Sequence, residues 1–173
     1  NDDARQVLEN LANKDGLTGL TNRRHFMESA EVELQRAQRY RRPVTVAMAD
    51  LDFFKKLNDT YGHAAGDAVL RAFSGLVQDA LRQSDLVCRY GGEEFALILP
   101  DTGHAAAKQC AELLRAQFCA ARLVVSESKE QIGAVTASFG VAEHLAGEPL
   151  ESLVQRADER LYKAKAAGRN RVV

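Results

Sequence analysis

A predicted β-hairpin at residues 89–99 constrains the fold more than any other stretch of this sequence. Gly91 and Gly92 stand between residues with strand character, and two-residue hairpin turns favour glycine because they need a positive φ. The chain is therefore expected to contain an antiparallel strand pair with two carboxylates, Glu93 and Glu94, at its tip. Adjacent glutamates repel each other unless a cation lies beside them, so the tip is either an ordinary surface turn or part of a charged site.

Helices and strands alternate along the rest of the chain and predict an α+β fold. Helices are predicted at 2–13, 22–42, 67–81, 103–119 and 150–164, and strands at 44–49, 86–88, 95–99, 123–125 and 134–141. A long helix separates the first strand from the hairpin, which implies a crossover, whereas the hairpin itself is antiparallel. We expect a central mixed, mostly antiparallel sheet with helices on its faces.

Apolar residues at helical spacing predict the buried faces of four helices. They are Phe26, Ala30, Leu34 and Ala37; Val69, Leu70, Phe73, Leu76, Val77, Ala80 and Leu81; Ala107, Cys110, Leu113, Leu114 and Phe118; and Leu150, Leu153, Val154, Ala157, Leu161 and Ala164. Thr21 or Asn22 is expected to cap the first of these helices. Residues 61–67 are predicted to be a glycine-punctuated loop, with Asp67 at the cap or in the first turn of the second. The polar stretch 126–131 is predicted to be a turn.

Two carboxylates, Asp50 and Asp52, follow the apolar strand at 44–49. The nearly continuous apolar character of that strand indicates burial on both faces. Residues two apart in a strand point to the same side, so these carboxylates are candidate metal ligands. The alternative is that one of them caps the next turn. The strand end and the hairpin tip can lie side by side, which would bring Asp50 and Glu93 to one edge of the sheet.

Composition narrows the class of protein without naming a function. A net charge of −1 gives no argument for nucleic acid or an anionic membrane as a partner. No apolar run approaches the length of a transmembrane helix. Three cysteines without metal-ligand spacing indicate free, buried thiols in a reducing compartment, so we expect the domain to be cytoplasmic. The full-length protein can still be anchored to a membrane through an upstream region.

Four motifs resemble those of GGDEF domains, the diguanylate cyclases that condense two GTP into cyclic di-GMP. They are DGLTGLTNRR at 15–24, DLDFFKKLNDTYGHAAGD at 50–67, GGEEF at 91–95 and KAAGRNR at 165–171. The match covers about residues 15–173 in the family's order and spacing. The resemblance implies the palm-like fold of nucleotide cyclases, with a ferredoxin-like core. Residues 1–14 are then expected to be a linker or stalk helix from an upstream regulatory domain, and a simple N-terminal cap helix is the alternative.

The resemblance also implies the roles of individual residues. Asp50, the backbone carbonyl of Leu51, and Glu93 would bind Mg²⁺, with Mn²⁺ as an alternative and two ions per half-site. Glu93 would act as base on the attacking 3′-hydroxyl, Glu94 would lie beside the second ion, and Lys55 would ease the developing charge. Residues implied to bind the nucleotide are Asn58 and Asp67 for guanine, His63 beside them, the Phe53 and Phe54 loop for the phosphates, and Lys165 and Arg169 for their charge.

A second site is implied at Arg82-Gln83-Ser84-Asp85, which matches the R-x-x-D site at which the product inhibits the family. Arg115 is a further candidate there, although Arg82 and Asp85 could simply pair with each other. Because the product is symmetric, each monomer would hold one GTP, and a homodimer would be needed for catalysis. The alternative function is a catalytically silent receptor for cyclic di-GMP or GTP. A receptor without catalysis is expected to lose Asp50, Asn58 or Glu93, and all three are present.

Overall fold

The computed structural model describes residues 1–125 and 129–173. Its helices are α1 (Asp2–Asn13), α2 (Arg23–Tyr40), α3 (Phe54–Tyr61), α4 (His63–Ala80), α5 (His104–Ala120) and α6 (Leu150–Ala166). Its strands are β1 (Thr21–Asn22), β2 (Val44–Leu51), β3 (Leu86–Arg89), β4 (Glu94–Pro100), β5 (Leu123–Val124), β6 (Gln131–Ile132) and β7 (Ala137–Glu143). In these residues no helix is both long and apolar enough to cross a bilayer.

The main sheet has five strands in the order β1-β3-β4-β2-β7. The β1–β3 pair is parallel and the other pairs are antiparallel, so the predicted mixed, mostly antiparallel sheet is confirmed. All eight residues of β2, which lies between β4 and β7 in the sheet, are buried. A carboxylate at its end is therefore held on a rigid support.

Two hydrophobic cores lie on opposite faces of the sheet because successive strand residues point to opposite sides. The α4/α5 core contains Ala47, Ala49 and the ring of Phe73, which lies 4.7 Å from the ring of Phe95. The α2/α6 core contains Val46 and Met48. The apolar stripes predicted for α2 and α6 are buried as expected.

The structure differs from the sequence predictions at several helices and strands. Residues 61–67 are not a loop, because α3 ends at Tyr61 and α4 begins at His63, with a corner at Gly62 (φ 89°). Leu113 and Ala80 were predicted to be buried and are exposed. Strands β1 and β6 were not predicted. The predicted turn at 126–131 falls largely on residues 126–128, outside the described residues, and its last residue begins β6.

Helix α1 packs on the domain only through its C-terminal end. It has no buried residue, and Val7, Leu8 and Leu11 are exposed. The carbonyl of Ala12 accepts hydrogen bonds from Asn22 Nδ2 at 2.8 Å and from Arg24 Nη2 at 2.7 Å. The remainder of the helix presents an apolar stripe to solvent.

Candidate active site

The ends of β2 and β4 bring the two carboxylate motifs to one edge of the sheet. Asp50 is directly opposite Glu94 in the antiparallel register. The amide of Leu51 donates a hydrogen bond to the carbonyl of Glu93 at 3.2 Å. The predicted adjacency of the strand end and the hairpin tip is confirmed.

Asp50 is a buried carboxylate in contact with a basic group. Only 5% of the residue is exposed, and Lys165 Nζ lies 2.8 Å from its Oδ2. Burial raises the pKa of Asp50 to about 6; Lys165 lowers it, whereas the charges of Glu93 and Glu94 raise it further. The carboxylate is therefore short of positive charge even with Lys165 beside it, and a divalent cation would stabilise its ionised form.

The turn that carries the glutamates is not the two-residue glycine turn predicted from the sequence. Four residues, 90–93, connect β3 to β4, and neither Gly91 nor Gly92 has a positive φ. The amides of Tyr90 and Gly91 both donate to the carbonyl of Glu94, at 2.8 and 3.2 Å. A longer turn closed in this way does not require the left-handed conformation.

Arg89 ties this turn to the N-terminal motif. Its Nε and Nη2 donate to the carbonyl of Gly92 at 3.1 and 2.9 Å, and its Nη1 lies 3.4 Å from the carboxylate of Asp15. Burial raises the pKa of Asp15, but hydrogen bonds from Thr18 and the charge of Arg89 outweigh it and hold that pKa below its usual value. Two charged groups thus fix the residue that precedes Glu93. Sequence reasoning missed Arg89, although its position two residues before Gly91 was a signal.

The predicted phosphate loop follows β2 and carries an exposed aromatic ring. Phe53 is the N-cap residue of α3, has a left-handed φ of 55° and is 62% exposed. The guanidinium carbon of Arg169 lies 4.6 Å from the centre of its ring, a cation–π distance. Lys55 lies in the first turn of α3 and is exposed. Of the basic residues predicted to neutralise phosphate charge, Arg169 therefore lies against this loop and Lys165 against Asp50.

The predicted guanine-reading residues lie on α3 and α4. Among the described residues, Asn58 Oδ1 is a buried side-chain oxygen without a hydrogen-bond partner. A Cβ at Gly66 would lie 1.8 Å from that oxygen, so only glycine leaves room for Asn58 there. Asp67 is the fifth residue of α4 and not its cap, so the capping prediction is wrong, while His63 is the first residue of the helix and is exposed.

Arg82 and Asp85 pair with each other, as one alternative anticipated. Arg82 Nη2 donates to Asp85 Oδ1 at 2.9 Å and also to the Pro100 carbonyl at 2.8 Å and Thr102 Oγ1 at 2.9 Å. The Arg82 side chain remains 55% exposed, so its guanidinium is open to an incoming anion. Arg115 contacts Glu112 and Asn170 rather than this pair.

The sheet order and its carboxylate edge define a nucleotide-cyclase-like α+β domain. The family described as "Diguanylate cyclase, GGDEF domain" matches residues 12–171. The chain belongs to this family, as the motifs indicated.

Individual relatives are similar over nearly the whole chain. Response regulator PleD of Caulobacter vibrioides is 45% identical over 164 residues, which cover 94% of this chain and 36% of PleD. Diguanylate cyclase VdcA of Vibrio cholerae is 43% identical over 159 residues, which cover 92% of this chain and 46% of VdcA. The GGDEF domain of DgcB from Caulobacter crescentus, solved in complex with c-di-GMP, superposes with a TM-score of 0.91 and 36% identity, covering 94% of this chain and 92% of that domain. The chain thus spans less than half of each of these two curated relatives.

Proposed function

We propose that the chain is the catalytic domain of a diguanylate cyclase, which condenses two GTP into cyclic di-GMP and releases two diphosphates. The observation that carries the proposal is the register that brings Asp50 beside the Glu93–Glu94 turn, with Lys165 on the same carboxylate. The names of diguanylate cyclase VdcA and of several further relatives, and the c-di-GMP bound to the DgcB domain, support the same reaction.

The donor atoms at the sheet edge fit Mg²⁺ or Mn²⁺. Asp50, Glu93 and the carbonyl of Leu51 are hard oxygen ligands, and Glu94 lies beside them for a second ion. Within residues 1–125 and 129–173 no three His, Cys, Asp or Glu side chains form a complete metal-binding group, so waters and substrate phosphates would fill the remaining positions, as is usual for Mg²⁺. When bound, the metal neutralises phosphate charge and polarises the reacting phosphoryl group.

The residues around this edge would orient GTP. Asn58 and Asp67 would satisfy the hydrogen-bonding edge of guanine, with His63 beside them. The backbone of Phe53 and Phe54 would hold the phosphates, because successive amides at such a corner form an anion-binding nest. Lys165 pairs with Asp50 in this structure, so a cation bound at Asp50 would compete with it and free its ammonium group for a phosphate.

Catalysis would follow from bringing two copies of the domain together. Each copy holds one GTP, Glu93 takes the proton from the attacking 3′-hydroxyl, and Lys55 stabilises the charge that develops in the reaction. Arg169 contributes to binding the triphosphate. The site is then half of an active site, and a homodimer is required. Residues 1–14, which contain α1 and its exposed apolar stripe, would be a stalk between the catalytic domain (15–173) and an upstream sensor.

Cyclic di-GMP would inhibit the enzyme at Arg82 and Asp85. The exposed guanidinium of Arg82 can bind a phosphate or stack on guanine while Asp85 keeps it in place. We expect Arg82→Ala to raise the product concentration needed for half-inhibition by at least about tenfold, the weight of one charge-assisted contact. Unchanged inhibition would place the inhibitory site elsewhere.

Incubation with GTP and Mg²⁺ over a series of protein concentrations tests the reaction. We expect cyclic di-GMP, measured by chromatography, to rise more steeply than linearly with protein, because product requires two half-sites. Glu93→Gln should make no product while keeping the thermal unfolding of the wild type, and Glu28→Gln on the exposed surface of α2 is the matched control. Absence of product from wild type at all protein concentrations, or full activity of Glu93→Gln, would refute the proposal.

A further inference from the structure

The carboxylate of Asp52 is buried and fully engaged by the protein. The residue is 5% exposed. Its Oδ1 accepts from Ser138 Oγ at 2.7 Å, and its Oδ2 accepts from Thr136 Oγ1 at 2.7 Å and from the Asn170 amide at 3.0 Å. Its own amide donates to the Thr136 carbonyl at 2.8 Å. Both carboxylate oxygens of Asp52 thus accept hydrogen bonds from the protein, whereas Lys165 contacts Oδ2 of Asp50.

These hydrogen bonds join three separate parts of the chain. Asp52 belongs to the loop after β2, Ser138 to β7 with Thr136 just before that strand, and Asn170 to the turn after α6. The Asn170 amide is shared with Ser138 Oγ at 3.1 Å. One carboxylate therefore fixes the C-terminal turn, 167–170, against both the phosphate loop and the sheet.

The C-terminal turn needs such an anchor because its backbone is strained. Arg169 and Asn170 are non-glycine residues with left-handed φ values of 62° and 48°. Residues in this region persist only where neighbouring contacts hold them. The Asp52–Asn170 hydrogen bond is charge-assisted and therefore among the stronger contacts available to such a turn.

The turn places a basic group over the phosphate loop. Arg169 lies over Phe53, the residue that directly follows Asp52 and that also has a left-handed φ. The position of the Arg169 guanidinium thus depends on two strained corners, and Asp52 touches both. Among the described residues, no carboxylate forms an ion pair with the Arg169 guanidinium. Its position therefore depends on the Phe53 ring and on the turn that Asp52 anchors.

We propose that Asp52 is a positioning residue that sets Arg169 for binding the triphosphate, and is not a metal ligand. The proposal rests on the proposed function because the ligand is GTP. It makes a specific claim: Asp52 acts through Arg169, on substrate affinity rather than on turnover. A purely structural role would instead lower stability without any dependence on Arg169.

A double-mutant cycle between Asp52 and Arg169 tests the claim. Asp52→Asn and Arg169→Ala are each expected to raise the KM for GTP by about tenfold, which corresponds to the loss of one charge-assisted hydrogen bond. The kcat of each variant should change by less than about threefold. The double variant should be no worse than Arg169→Ala alone, because the guanidinium on which Asp52 acts is gone. Additive effects on KM, or a loss confined to kcat, would overturn the proposal.

Thr136→Val keeps the shape and the carboxylate charge but removes one donor to Asp52, so it covers the case in which Asp52→Asn does not fold. It should raise KM in the same direction. Thr60→Val, on the exposed side of α3, is the matched control and should leave the KM for GTP unchanged.

A ligand-free readout separates this inference from the proposed function. Exchange of the Asn170 amide, followed by NMR without nucleotide, should accelerate at least about tenfold in Thr136→Val relative to the amide of Val46 in the core. Unchanged exchange at Asn170 overturns the positioning role whatever the protein synthesises. Accelerated exchange in a protein whose wild type makes no cyclic di-GMP would overturn the proposed function alone.

Discussion

Substitution of Gly66 by alanine should weaken guanine recognition without unfolding the domain. Gly66 is buried inside α4 with no positive φ, so helix propensity alone would make alanine more stable by about 1 kcal/mol. The added Cβ would lie 1.8 Å from Asn58 Oδ1 and 2.9 Å from Asn58 Cγ. These distances are far below van der Waals contact, so the Asn58 side chain must leave its position.

The magnitudes follow from the two opposing effects. Overpacking costs about 1–3 kcal/mol, which offsets the propensity gain and leaves Gly66→Ala between unchanged and about 2 kcal/mol less stable. Loss of the Asn58 contacts leaves guanine groups unpaired, at about 1–3 kcal/mol, so the affinity for GTP should fall about five- to 150-fold. The preference for GTP over ATP should narrow by a similar factor.

Gly75→Ala is the matched control on the same helix. A Cβ at Gly75 would meet no atom within 4 Å, so this variant should gain about 1 kcal/mol and bind GTP normally. Urea denaturation gives the stabilities, and titration calorimetry with a non-hydrolysable GTP analogue gives the affinities. If Gly66→Ala matched Gly75→Ala in both measurements, the assigned contact with Asn58 would be wrong.

Three further predictions concern the carboxylate edge and the packing beneath it. Because the pKa of Asp50 is raised from 3.8 to about 6, the folded protein holds this proton more tightly than the unfolded chain, and stability falls as pH rises through that window. Urea denaturation in EDTA should show wild type losing about 2 kcal/mol relative to Asp50→Asn between pH 4 and 6, and parallel pH curves would contradict this. Arg89→Ala should lower kcat about tenfold by loosening the 90–93 turn, with thermal unfolding as the check on folding and unchanged kcat as the contrary result. Gly140→Ala should lose at least about 3 kcal/mol in denaturation, because its Cβ would lie 2.1 Å from the backbone oxygen of Ala157, whereas Gly133→Ala has open space and should be neutral.

Helices that pack one face on the sheet were predictable from hydrophobic spacing. The stripe from Phe26 to Ala37 on α2 is buried residue for residue, because burial there follows the helical period. On α5 the same reasoning chose Leu113, which is 54% exposed, and missed Ala111, which is buried. The buried residues Ala107, Ala111, Leu114 and Phe118 keep one helical face, and Leu113 falls outside that face although it is more hydrophobic than Ala111.

The α3–α4 corner could not be predicted from glycine content. Glycines usually mark loops, and this reading is correct for Gly62 but wrong for Gly66, which is helical. The reason for Gly66 is tertiary: it leaves room for Asn58 from the preceding helix. A glycine inside a helical pattern was nevertheless a signal that something approaches closely.

The meeting of Asp50 and Glu93 at one edge was predictable from the sequence as an arrangement the sheet allows, because each residue lies at the end of a strand, and the β2–β4 pairing produces it. The sequence was not sufficient to pair Lys165 with Asp50, since that contact depends on where α6 ends over the sheet. Nor did strand spacing separate the two aspartates by role. What separates Asp52 from Asp50 is its hydrogen bonds to Thr136, to Ser138 and to the C-terminal turn, which strand spacing does not reveal.

The division of the interior into two cores has a consequence for how this domain can evolve. Asp50 projects toward the α2/α6 face, where it meets Lys165, while Asn58 is supported from the α4/α5 face. Substitutions in the α4/α5 core can then change the affinity for the nucleotide base, while the α2/α6 core keeps Asp50 and Lys165 in place. A lineage changing its nucleotide preference is expected to accumulate compensating substitutions around Leu57 and Ala65 and to spare those around Met48.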